Sequence, residues 1–92
     1  MADPVVTSIT AVDTWQKVAT NVTAGQVHIM NPNVQLYYHT YRDTGESAPT
    51  DTAEGVVFVG NSMTIESSAG IDVYIYTTSA GSATTGSVRV DL

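Results

Sequence analysis

The chain reads as an all-β protein: a compact antiparallel β-sandwich of about eight short strands. Three observations predict this. Runs rich in β-branched and aromatic residues recur at intervals of roughly 8–12 residues, with turn signals between them. No stretch carries the 3.6-residue period of a long amphipathic helix. Hydrophobic residues make up 42% of the chain, and most fall in alternating rows. A single sheet would leave such a row wet, so two sheets packed face to face are expected.

Each run can be justified in order. Val5 to Val12 is apolar and β-branched between Pro4 and Asp13, and reads as a first strand. Thr14 to Thr20 holds Trp15 and Val18 at helical spacing, but its Thr and Val content favours a short strand. Ala24-Gly25 marks a turn. In Gln26 to Asn31, Val27 and Ile29 alternate with His28 and Met30. Asn31-Pro32-Asn33 then breaks the ladder, because Pro32 has no N–H and both Asn residues suit turns. Val34 to Arg42 is the longest run. Leu36 and Tyr38 are expected inward, and Tyr37, His39 and Tyr41 share the opposite, outward row. Gln26 to Arg42 therefore reads as a central hairpin.

Asp43 to Glu54 reads as an acidic, mobile or partner-contacting loop. Gly55 to Val59 is an apolar run suited to a strand buried on both faces. Gly60-Asn61 is a tight turn. Ser62 to Ser67 places Met63 and Ile65 inward, and Ser68 to Gly70 reads as another turn. Ile71, Val73 and Ile75 then alternate with Asp72, Tyr74 and Tyr76. Thr78 to Gly86 is a small-residue loop. Ser87 to Leu92 closes the chain with Val88, Val90 and Leu92 inward. The expected architecture is a jelly-roll-like or immunoglobulin-like sandwich, as a single domain over residues 1–92.

Charge narrows the classes of partner. Nine acids against three bases give a net charge of −6. A basic face able to neutralise several phosphates is not available, so nucleic acid is not an expected partner. Anionic membranes are disfavoured for the same reason. With no Cys, disulfides and thiolate chemistry are excluded. No apolar run approaches the roughly 20 residues of a membrane-spanning helix. The first ten residues lack the basic and apolar regions of a secretory signal, which points to synthesis in the cytoplasm.

Catalytic and metal-binding arrangements do not assemble on paper. There is no Gly-x-Ser-x-Gly elbow. His28 and His39 fall on runs expected to be neighbours, but a third ligand is not evident. Asp43, Glu46, Asp51 and Glu54 supply oxygen ligands without the calcium-loop spacing. Asn21-Val22-Thr23 matches the glycosylation triplet, read as chance. Hence no catalytic, cofactor-binding or metal residue is assigned. Trp15 is read as a core anchor. The surface row Tyr37, His39 and Tyr41 is the expected contact face, since tyrosine is enriched at interfaces.

The succession of signals resembles a known family. Thr14-Trp15 leads to Ala24-Gly25-Gln26 and QVHIMN. Then come a tyrosine-bearing strand, Ala48-Pro49-Thr50-Asp51, and Gly60-Asn61-Ser62. DVYIYT from Asp72 and SVRVDL from Ser87 follow. From Thr14 to Leu92 this is similar to small β-sandwich proteins of tailed-bacteriophage virions, chiefly head decoration or cement proteins. The resemblance implies a non-enzymatic structural protein on the capsid exterior, made in the host cytoplasm and bound to the outer surface of the phage head. Its partners would be the major capsid protein and neighbouring copies of itself, with a homo-oligomer possible. Residues 1–7 would act as a docking arm through Val5 and Val6, together with one sheet edge. The competing expectation is a carbohydrate- or receptor-binding module of a phage tail or fibre, with Tyr37, His39 and Tyr41 as its platform.

Overall fold

A computed structural model describes residues 5–9, 14–29, 37–51, 55–57, 62–77 and 86–91. These residues form an all-β, antiparallel sheet. Its strands are β1 (Val5–Ile9), β2 (Trp15–Ile29), β3 (Tyr37–Asp43), β4 (Val56–Val57), β5 (Ser62–Thr77) and β6 (Gly86–Asp91). They lie in the order β1-β6-β2-β5-β3-β4. The turns expected at Asn31-Pro32-Asn33 and Gly60-Asn61, and the loop expected between Thr78 and Gly86, fall largely outside the described residues.

Among the described residues six strands stand where eight were expected, because two pairs of runs are continuous. Ala24-Gly25 does not reverse the chain; β2 runs straight through it. Ser68 to Gly70 likewise lies inside β5. Both turn signals instead mark irregular pairing between the same two strands. Lys17 pairs with Tyr74, Ala19 with Val73, Val22 with Ile71 and Ala24 with Glu66, with the register shifting at each step. The largest shift sets two residues of β2 against five of β5, and this takes up Ser67 to Gly70. There Ser67 Oγ donates to Ala69 O at 2.6 Å. On the facing strand Asn21 adopts φ of 52°, a left-handed conformation that Asn tolerates well. Bulges of this kind bend a strand and increase its twist. Bending is required by size: a straight strand as long as β5 would run about 50 Å, and the longest axis of the molecule is 38 Å.

The bend divides the β2–β5 pair. One half, Ala24 to His28 against Ser62 to Glu66, carries β6 and β1 on its β2 side. The other, Trp15 to Val22 against Ile71 to Tyr76, carries β3 and β4 on its β5 side. One apolar cluster draws on both halves, including Val18, Val22, Val27, Ile65, Val73, Ile75, Val88 and Val90, with Met63 packed against it. The expected inward residues Val27, Ile29, Ile65, Ile71, Val73, Ile75, Val88 and Val90 are buried, and Met63 is half-buried; Leu92 lies outside the described residues.

The expected hairpin from Gln26 to Arg42 does not form. β5 lies between β2 and β3 in the sheet. Two alternating runs joined by Asn-Pro-Asn look like a hairpin, but β5 offers each of them a longer apolar partner. The row assignment of β3 is also corrected. His39 pairs with Ile75 and Tyr41 with Val73, which puts them on the side of the apolar cluster. Tyr38, expected to join that core, pairs with Tyr76 on the other face. Leu36 and the Tyr37 side chain lie outside the described residues.

That other face has a packed layer of its own. Trp15 and Tyr76 ring centroids stand 5.3 Å apart, and Tyr38 meets Tyr76 edge-on at 6.1 Å. Trp15 is half-buried and anchors this layer rather than the main core. The loop after β3 closes over it. Pro49 is buried, and Trp15 Nε1–H donates to Asp51 O at 3.3 Å. Thr44 N–H donates to Gly70 O at 3.3 Å, and Glu46 N–H to Asp43 O at 3.0 Å. The segment expected to be a mobile or partner-contacting loop is tied at Thr44, Glu46 and Asp51 within its described residues.

Candidate functional site

The site is a groove of about 620 Å³ lined by residues of β3, β4 and β5. β3 supplies His39 and Tyr41, because the register turns odd-numbered residues of that strand toward the apolar side. β4 adds Val56, which pairs with His39. The first half of β5 supplies the opposite wall, from Met63 to Ser67. Ile65, Ile71 and Val73 make the floor, and all three are buried. The mouth is apolar as well. Tyr41 is 62% exposed and Val56 60% exposed.

Charge is distributed along the rim. Glu66 is exposed on the β5 wall. Past Tyr41 the groove continues into a shallow depression lined by Arg42, Asp43 and Glu46. Arg42 Nη1 donates to Tyr41 O at 3.2 Å. Four charged residues thus line the two depressions, three acids and one base. Partial burial lowers the pKa of His39 below its ordinary 6.5, so at neutral pH its imidazole is uncharged and can both donate and accept.

Asp72 holds the adjoining bend in place. It is 1% exposed and its carboxylate is surrounded by donors. Asn21 N–H donates to Oδ1 at 2.9 Å and Thr44 Oγ1 to the same oxygen at 3.1 Å. Lys17 Nζ stands 3.3 Å from Oδ2 and 5.9 Å above the Tyr74 ring. The Asn21 hydrogen bond is the main cause of a lowered Asp72 pKa. Thr44 and Lys17 add to it, and burial opposes them. One buried carboxylate therefore ties β2, β5 and the start of the β3–β4 loop together.

The expected contact residues separate into three places. His39 and Tyr41 meet in the groove. Tyr37 is joined to Thr77 through the backbone at the far end of β3. Val5 and Val6 lie on β1, at the opposite end of the strand order from β4, and are 55% and 59% exposed. His28 and His39 do not approach as neighbours. His28 Nε2 is 3.2 Å from Asp91 Oδ2, which also lies beside Arg89. Among the described residues no three His, Asp or Glu side chains gather as metal ligands would. Glu66 and Asp72 were missed as important positions. Asp72 carries a readable signal, since an acid inside an apolar strand is unfavourable unless something receives it. Comparison with protein-family models, curated proteins and solved structures finds no match.

Proposed function

We propose that this chain is a non-enzymatic structural protein of a virion, a decoration or cement protein that binds the outside of a phage head and stabilises it. The major capsid protein and sister copies are its partners. The observation that supports this reading is β1. It is an edge strand, uncharged from Val5 to Ile9, and its two valines stand exposed. Edge strands present unpaired backbone groups that a neighbouring chain can extend. A stable lattice contact would cover about 800 Å² on each partner. The finer architecture belongs to the same reading: the bent β2–β5 pair folds as a two-layer sandwich, supported by the single apolar cluster shared between its halves.

The test is quantitative mass spectrometry of purified virions. A decoration role expects the chain in proportion to the major capsid protein. Val6→Asp, which charges the edge without touching the core, is expected to lower that ratio. Absence from virions, or a few copies per particle, would refute the head location.

A further inference from the structure

We infer that the groove beside Tyr41 is a docking site for an extended, basic segment of a protein partner, one with apolar side chains between flanking Lys or Arg residues. Shape supplies the first part of the argument. The groove is lined by residues of three strands, with Ile65, Ile71 and Val73 as buried apolar lining and the exposed Tyr41 beside them. Apolar side chains of an extended peptide fit such a lining at every second position.

Charge supplies the second part. Glu66 lines the groove, and Asp43 and Glu46 line the adjoining depression past Tyr41, all three exposed. Arg42 is the one Lys or Arg among the residues lining the two depressions, so acids outnumber it three to one. His39 adds no charge at neutral pH. The whole chain carries −6. A second copy would bring its own acids against these, whereas a basic segment meets net opposite charge along the rim. This site is distinct from the β1 edge and does not depend on a virion role.

The test uses the full chain labelled with ¹⁵N and two synthetic peptides, acetyl-Lys-Val-Leu-Val-Lys-amide and its Glu-flanked counterpart. The Lys peptide is expected to shift the amide signals of Tyr41, Ile65 and Glu66, and the Glu peptide to leave them in place. Binding should weaken several-fold in about 1 M salt, where the Debye length is near 3 Å. It should also weaken in Tyr41→Ala and in Glu66→Gln, both at exposed positions, and be unchanged in Val6→Asp. No response to the Lys peptide, an equal response to both, or shifts that map elsewhere would overturn the inference. Shifts at these residues on simple dilution would assign the groove to a second copy, and shifts with neutral oligosaccharides alone would assign it to a glycan. Either result overturns the inference.

Discussion

Replacing Gly55 by Ala tests the aromatic layer directly. Gly55 lies against the Trp15 ring and the Tyr38 Cβ. A Cβ added there would stand 2.6 Å from Trp15 Cη2, 3.0 Å from Cζ2 and 3.2 Å from Tyr38 Cβ. Neither side chain has an easy retreat. Trp15 is fixed by its bond to Asp51 O and by Tyr76, and Tyr38 is fixed by its strand and by Tyr76. Overpacking of this kind costs about 1–3 kcal/mol. Ala lowers the entropy of the unfolded chain and returns about 0.4–1 kcal/mol. The net expectation is a loss of up to about 2.6 kcal/mol. At about 4–8 °C per kcal/mol for a domain of this size, Tm should fall by up to about 20 °C. The decisive measurement is a double-mutant cycle with Trp15→Phe, followed by circular dichroism in guanidinium. Phe lacks the two ring carbons closest to the added methyl, so Ala should cost much less in that background. The lost indole hydrogen bond appears on both sides of the cycle and cancels. A coupling of about 1–2 kcal/mol is expected, within the range for residues in contact. Equal costs in the two backgrounds would refute the packing assigned to Gly55.

Other expectations follow from buried groups. Thr77 is 1% exposed and its hydroxyl has no hydrogen-bond partner among the described residues. Thr77→Val should therefore stabilise the protein by about 1 kcal/mol, read from denaturant midpoints, and a loss of stability would show that the hydroxyl is bonded. Ile75→Ala should cost about 2–5 kcal/mol, while Val56→Ala, at an exposed position, should stay within about 0.5 kcal/mol. Asp72 has a lowered pKa in the folded state, so the unfolded chain binds the extra proton first as pH falls. Its stabilisation is complete above the ordinary carboxylate value of 3.8 and is lost as pH drops through the lowered one. Asp72→Asn should be less stable at pH 7 and should flatten the acid limb of a stability–pH profile; an unchanged limb would remove Asp72 from that role.

The all-β class and most buried rows could be read from alternation alone, because one residue of slip would move a whole row to the wrong face. Val27, Ile65, Val73, Val88 and Val90 are inward for that reason. Strand continuity could not be read. Ala24-Gly25 and Ser68 to Gly70 have the composition of turns, and only the facing strand decides whether such a stretch reverses the chain or bulges within it. The same ignorance of neighbours misplaced Tyr38. Local pattern cannot distinguish one buried layer from two, and Trp15 and Gly55, which meet in the second layer, are far apart in sequence. The groove was half legible. His39 and Tyr41 stood out by residue type, but Glu66 and Ile65 join them only through the bend.

The pairing of β1 with β6 joins the first described strand to the last, with Val5 opposite Val90. Such a contact can form only after nearly the whole chain has been made and gathered. Chains dominated by distant pairings fold in milliseconds to seconds rather than microseconds. During that interval β6, which carries Val88 and Val90, is itself a bare edge. The late pairing of β1 then also covers an apolar strand, and variants that weaken β1 should be recognised first by poor yield rather than by a lowered melting temperature.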